Sequence, residues 1–368
     1  MNPEHLAVLA ALHVKFAALR VDGEFLPNVT EGPVVTLYRF KPSGATRVSL
    51  VEGLSKDIAI TLGVESVQIA ALPRENAIGL FIPNKVRKNL EFRDAVSAVW
   101  TSKAHVPICL GIDHNGAIII EDLTTLPHLL IAGSTGSGKS TLLNSILSAL
   151  CYCIPPERLR LVLADTKQVE FSLFERSKHL LLPVAKDVPA VIDVLDDLCQ
   201  SVDNRLAILA KHGCQNIEQY HARVAHSHPV KMPYTILVID ELAEPLTDQR
   251  KESDEKGAKT YGKLAEYRLG KIVSKSRATG IHVIAATQRT SVRVVEGNIK
   301  ANFPARVSFR LPSDADSRTI LGTGGAQNLL AKGDMLFLSP NNPEVRRIHA
   351  PYASIEDIKM AVEMAERR

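Results

Sequence analysis

In Leu129-Leu130-Ile131-Ala132-Gly133-Ser134-Thr135-Gly136-Ser137-Gly138-Lys139-Ser140-Thr141, four apolar residues run straight into a loop of the form G-x-x-x-x-G-K-[ST]. A helical pattern follows, with Leu142, Leu143, Ile146, Leu147 and Leu150 on one side. The glycines let the backbone curl so that successive N–H groups face phosphate oxygens, and the helix amino end adds partial positive charge. Residues 133–141 are therefore expected to bind a nucleotide: Gly133, Ser134, Thr135, Gly136, Ser137, Gly138, Lys139, Ser140 and Thr141. In this arrangement Lys139 neutralises the β- and γ-phosphates and the Ser140 hydroxyl ligates Mg²⁺.

Working outward, a second apolar run at 234–239 ends in Asp240-Glu241. Its first carboxylate is expected to hold the Mg²⁺ ion together with Ser140, and its second to polarise an attacking water. A third run, 281–286, leads into Thr287-Gln288-Arg289, which places the Gln288 amide where a γ-phosphate could be sensed. Continuous apolar runs at 129–132, 159–164, 235–239, 282–286 and 305–309 alternate with helical patterns, so the expected fold class is α/β with a mainly parallel sheet buried on both faces. All three loops then meet at the carboxyl edge of that sheet. No Asn-Lys-x-Asp guanine reader occurs, since Asn84-Lys85-Val86-Arg87 lacks the Asp, and ATP is the expected nucleotide.

Before this region, residues 34–99 read as strand, helix, strand, strand, helix (34–40, 54–62, 67–71, 78–82, 90–100), a small α+β domain. The boundary is expected near residue 100, giving units 1–100 and 101–368. Residues 247–263 carry charges of both signs without apolar periodicity and are expected to form a solvated loop. The chain should close on a helix capped by Ser354, with Ile355, Ile358, Met360, Ala361 and Met364 inside it. Lys271, Lys275 and Arg277 fall at the end of a helix stopping at Gly280, where basic side chains complement the helix dipole.

Among 368 residues the net charge is only +4, which does not by itself point to nucleic acid. Five cysteines without a C-x-x-C pair suit buried thiols rather than a disulfide frame or zinc site. His221, His226 and His228 lack the partners of a metal site and read as a polar loop. The best apolar run near the start, 6–19, is broken by His13 and Lys15, so no integral membrane segment and a cytoplasmic location are expected.

Beyond these motifs the chain resembles the motor of FtsK-type double-stranded DNA translocases. The resemblance is carried by Gly32-Pro33-Val34-Val35-Thr36, Ile82-Pro83-Asn84, Pro127-His128 with the phosphate loop, Asp165-Thr166-Lys167, Gly280-Ile281-His282 and Ala286-Thr287-Gln288-Arg289. It continues through Ile299-Lys300-Ala301-Asn302, Asp316-Ser317-Arg318-Thr319-Ile320-Leu321 and Gly333-Asp334-Met335-Leu336-Phe337. It implies a RecA-like P-loop ATPase domain preceded by the small domain, assembled as a homohexamer around double-stranded DNA. It also implies ATP between neighbours, reached by an arginine of the adjacent subunit: Arg277 first, Arg205 second. DNA-gripping loops carry over onto Arg289, Lys300 and Arg318, while Asp314 stands where relatives often have Lys. Membrane-spanning segments before the motor and a winged-helix module after it, known in larger members, are not expected within these 368 residues. Two competing expectations are a secretion-type ATPase acting on polypeptides with the same fold, and an assembly scaffold in which ATP only stabilises a ring.

Overall fold

A computed structural model describes residues 2–224, 232–253, 258–290 and 298–367. The first unit opens with α1 (Pro3–Ala18), where Pro3 sits in the first turn and Asn2 caps by accepting the Glu4 N–H. Strands β1 (Gly23–Phe25), β2 (Thr30–Glu31) and β3 (Val35–Pro42) precede the short α2 (Val48–Glu52) and α3 (Ser55–Leu62). Strands β4 (Gln68–Leu72) and β5 (Ala77–Pro83) complete an antiparallel sheet of order β1-β3-β5-β4, with β2 paired to β3. Its core holds Leu12, Phe16, Phe40, Ile58 and Leu80. Phe16, Phe25 and Phe40 meet with ring centroids 4.7–5.0 Å apart, the spacing of edge-to-face and tilted pairs.

The second unit contains α4 (Phe92–Thr101), β6 (Pro107–Asp113), β7 (Ile118–Asp122), β8 (His128–Ala132), α5 (Lys139–Cys153), β9 (Leu159–Ala164), α6 (Val188–Lys211) and α7 (Ile217–Val224). It continues through β10 (Tyr234–Ile239), α8 (Ala243–Thr247), α9 (Tyr261–Lys275), β11 (Ile281–Thr287), β12 (Ala305–Phe309), β13 (Asp334–Ser339) and β14 (Asn342–His349). The sheet order is β7-β6-β14-β13-β12-β8-β11-β10-β9. The five runs expected from the sequence form its parallel part, β12-β8-β11-β10-β9. Four further strands extend it in antiparallel fashion through β13, β14, β6 and β7. Separate apolar cores cover the two faces, one around α5 and the other around α6 and α9. Double coverage explains why the parallel strands are apolar without alternation.

Three local expectations differ from the structure. Helix α4, read from the sequence as part of the small domain, places Phe92, Ala95 and Val99 in the core beneath α5. Residues 261–263 belong to α9 rather than to the charged loop, because Thr260 caps that helix by accepting the Lys263 N–H. In the final helix, Ile355–Arg367, Ser354 does cap, but Ile355 and Met360 are exposed while Ile358, Ala361, Val362 and Ala365 are buried. Helical spacing puts those four on one face and Met360 on the other side, whereas Ile355, seven residues before Val362, shares their face but sits in the first turn, at its exposed end.

The two units meet where Val34, Val35, Leu37 and Phe81 pack against Leu330. At this seam Arg347 donates Nε and Nη2 to Asp334 at 2.9 and 2.6 Å, with both side chains almost fully buried. The guanidinium lies 5.7 Å from the Phe81 ring centroid, a cation–π contact across the seam. Breaking one side of a buried pair strands the other charge. Arg347→Met is expected to lose about 3–5 kcal/mol in urea denaturation, and Arg347→Met with Asp334→Leu to recover part of it, because the buried Leu330 N–H that donates to Asp334 Oδ2 at 2.7 Å then loses its acceptor. A single-variant loss below about 1 kcal/mol would contradict this account.

Candidate nucleotide site

The phosphate loop leaves the carboxyl end of β8, and its turns need backbone conformations that side chains resist. Gly136 and Gly138 have φ of 74° and 118°. A Cβ on Gly138 would stand 2.7 Å from the backbone N of Gly333, so the loop lies directly against the segment before β13. That contact is bonded: the Gly333 N–H donates to Ser137 O at 2.9 Å, and the Ala350 N–H donates to Gly333 O at 2.8 Å. Helix α5 starts at Lys139, directing its amino end at the loop.

The parallel register brings the remaining site residues to this edge. Ile239 stands beside Ala164 and Ala285, so Asp240 and Glu241 follow at the same level as Asp165 and Thr287. Lys139 Nζ donates to Asp240 Oδ1 at 2.9 Å and to the Asp240 carbonyl at 3.1 Å, deep in the protein. Glu241 Oε1 accepts from Thr287 Oγ1 at 2.7 Å, and Oε2 accepts from the Gln288 N–H at 3.1 Å. Lys167 Nζ lies 3.4 Å from Glu241 Oε2. On its other side Gln288 Oε1 accepts from Thr135 Oγ1 of the phosphate loop at 2.8 Å. One hydrogen-bonded group therefore joins Thr135, Gln288, Thr287, Glu241 and Lys167.

Ser140 Oγ donates to Glu170 Oε1 at 2.6 Å. Asp165 Oδ2 accepts from the backbone N–H groups of Glu170 and Phe171 at 2.8 and 3.0 Å, closing the turn after β9. Ser140 and Asp240 are oxygen donors of the kind a hard divalent cation such as Mg²⁺ takes, beside a phosphate loop that would supply further oxygens. Thr166 pairs with Glu244 on the outer flank.

A cavity of about 490 Å³ opens in front of the loop, lined by Ser134, Thr135, Gly136 and Gly138 to Thr141 and also by Asn89, Glu170, Lys332, His349 and Tyr352. The Tyr352 N–H donates to Leu90 O at 3.2 Å, so the chain before α4 and the chain after β14 form one wall. Burial holds the His349 imidazole below its ordinary pKa, favouring the neutral ring. Glu170, Lys332 and Tyr352 were missed by motif reading. The only textual signals were Asp165-Thr166-Lys167, three residues before Glu170, and Gly333-Asp334, just after Lys332.

The two arginines considered for a neighbour's nucleotide separate by burial. Arg205 is buried and donates to Pro233 O and Thr279 O at 2.9 Å and to Thr235 Oγ1 at 2.8 Å. Burial draws its pKa down to about 10, which leaves it cationic at neutral pH. It braces the turn before β11 and cannot reach outward, which removes it as a finger. Arg277 is exposed in that same turn, at the amino end of β11. The phosphate loop follows the carboxyl end of β8, which runs parallel to β11, so Arg277 lies at the opposite edge from its own loop.

Of the three expected DNA contacts, Arg289 and Arg318 are exposed, and their segments are tied by Thr290 donating to Asp316. Arg318 Nε pairs with Asp314 at 2.6 Å within its own helix, Asp314–Leu321. Lys300, in the helix Asn298–Asn302, precedes the amino end of β12 and lies toward the other end of the parallel strands from Arg289. Among the histidines read as a polar loop, His221 bonds to Met232 O at 2.8 Å, and 226 and 228 lie outside the described residues. All five cysteines are free thiols. No group of three His, Cys, Asp or Glu able to hold a metal occurs among the described residues. Nor is any described helix long and apolar enough to cross a membrane.

Residues 92–292 match the FtsK/SpoIIIE family, and residues 4–84 match the FtsK alpha domain. A DNA translocase FtsK of Helicobacter pylori (strain J99) is 39% identical over 352 residues, covering 95% of this chain and 40% of the relative. One of Rickettsia prowazekii is 34% identical, covering 93% and 48% respectively. The chain thus spans less than half the length of these curated relatives. Among solved structures, the pCW3 conjugation coupling protein TcpA, as a monomer with ATPgS, superposes with a TM-score of 0.67 at 24% identity over 98% of this chain and 99% of that one. The cytoplasmic domain of the Thermomonospora curvata Type VII secretion ATPase EccC gives 0.63 at 20% identity over 76% and 34%. Both likenesses show the α/β fold.

Gly333 has φ of 109°, and its N–H holds the phosphate loop. Gly333→Ala is expected to cost about 1–3 kcal/mol and also to weaken ATP binding. Gly322→Ala, at φ 79° with open space around it, should show strain without the affinity loss. Equal ATP affinity of the two variants in calorimetry would show that the Gly333 contact does not shape the site.

Proposed function

From the premise that the chain belongs to the FtsK/SpoIIIE family, we propose that it is an ATP-driven motor unit that moves double-stranded DNA through a homohexameric ring. The observation that carries this reading is the position of Gln288. It is bonded to the phosphate loop at Thr135 and to Glu241 by its backbone, and it is followed at once by the exposed Arg289. A change at the γ-phosphate would reach Gln288 first and the DNA-facing segment one residue later.

In this reading Lys139 leaves Asp240 to neutralise the β- and γ-phosphates, and Ser140 and Asp240 hold Mg²⁺. The ion would draw charge from the phosphate oxygens when bound. Glu241 orients and deprotonates the attacking water, while Thr287, the Gln288 N–H and Lys167 keep its carboxylate in place. Arg277 faces away from its own phosphate loop and serves the nucleotide of a neighbour, supplying charge where the transition state builds it. Catalysis would then require assembly. Arg289, Lys300 and Arg318 contact phosphodiester oxygens without reading sequence. Arg318 would exchange Asp314 for a phosphate at little cost, since exposed pairs contribute at most about 1 kcal/mol. We also place the division between the two domains within residues 84–91 and the site of action in the cytoplasm. The polypeptide-moving alternative rests on fold alone, and no contact among the described residues favours it.

Linear duplex should stimulate the ATPase, with the stimulation falling as salt rises. No stimulation across that range would defeat the motor reading. Glu241→Gln should bind ATP without turnover. Arg277→Ala should assemble yet hydrolyse about 10³-fold or more slowly. Mixing it with a Lys139→Ala chain should restore measurable turnover at mixed seams, and a mixture as inactive as its parts would mean that Arg277 does not act across subunits.

A further inference from the structure

Resting on the nucleotide reading above, we propose that Glu170 is a positioning residue of the magnesium end of the site, acting through the Ser140 hydroxyl. A serine hydroxyl carries one proton and two lone pairs, so it can ligate a cation only when its proton points elsewhere. In this structure the proton has a defined destination, because Ser140 Oγ donates to Glu170 Oε1 at 2.6 Å, a length typical of bonds to a charged acceptor. The Ser140 lone pairs are thereby left for the metal, and a second carboxylate besides Asp240 adds negative charge near it. Outer partners of this kind set the orientation and basicity of metal ligands.

Glu170 is not a surface side chain that happens to swing inward. The buried carboxylate of Asp165 pins the N–H groups of Glu170 and Phe171, and the Phe171 ring is fully buried in the core beneath α5. Asp165 is placed by β9, which pairs in parallel with β10, and the Asp240 N–H donates to Ala164 O at 3.1 Å. Asp240 and Glu170 therefore reach the site from adjacent strands on one rigid frame. The role is distinct from that of Glu241, whose carboxylate is held by Thr287, Gln288 and Lys167.

The test is ATP binding by the full chain, followed by fluorescence of a labelled ATP analogue in EDTA and across a Mg²⁺ titration. Variants are Glu170→Gln, Ser140→Ala and the pair together. Wild type should bind more tightly with Mg²⁺. Glu170→Gln should need about 10- to 100-fold more Mg²⁺ for the same gain, with affinity in EDTA unchanged. Added to Ser140→Ala, it should have little further effect, because its route through the hydroxyl is already gone. The proposal is overturned if Glu170→Gln leaves the Mg²⁺ requirement unchanged, weakens binding equally in EDTA and Mg²⁺, or adds in full to Ser140→Ala. If wild type itself shows no Mg²⁺-dependent gain, the nucleotide reading fails and this proposal falls with it, an outcome separable from failure of the variant alone.

Discussion

The contact between Lys139 and Asp240 is the constraint around which the site is organised. The Lys139 amine and the Asp240 carboxyl group lie 2.9 Å apart with both side chains almost fully buried, so each compensates the other. Such a pair holds the phosphate loop and the β10 edge together across about a hundred residues of sequence. A phosphate group and a cation would offer each side chain a new partner in the same place. Binding of a metal–nucleotide complex would exchange one compensated arrangement for another rather than expose a buried charge.

From this pair the connections run outward in two directions. Toward β11, Glu241, Thr287 and Gln288 return to the phosphate loop through Thr135, a circuit of hydrogen bonds. Toward the small domain, Ser137 is held by Gly333, the next residue is Asp334, and its partner Arg347 lies against Phe81. The phosphate loop is thus joined to the first domain by a short series of buried polar contacts. Such contacts hold in one geometry and are costly in intermediate ones.

Burial also sorts residues that look equivalent in sequence. Arg205 and Arg277 are both basic residues on helices or turns near β11, yet one is spent on three acceptors inside the protein and the other is left on the surface. The first supports the second: by holding Thr279 O, Arg205 stiffens the turn from which Arg277 projects. Likewise Arg318 is already paired with Asp314, whereas the Arg289 N–H donates to Thr287 Oγ1, within the hydrogen-bonded group of the site.

The phosphate loop, the acidic pair after β10, Gln288 after β11 and the five parallel strands were legible in the amino-acid sequence. Their signals are local: glycines where φ must be positive, unbroken apolar runs where both faces are covered, and polar residues at strand ends. Glu170, Lys332, Gly333 and Tyr352 were not legible as site residues, because the nearby motifs Asp165-Thr166-Lys167 and Gly333-Asp334 mark their segments without marking which residues face the phosphate loop. They enter the site through pairings with segments 30 to about 260 residues away. The antiparallel extension and the attachment of α4 to the larger core were hidden for the same reason. Periodicity tells a strand or helix which face to bury, whereas the partner that covers it, and the charge that will stand opposite, is chosen only when the layers close.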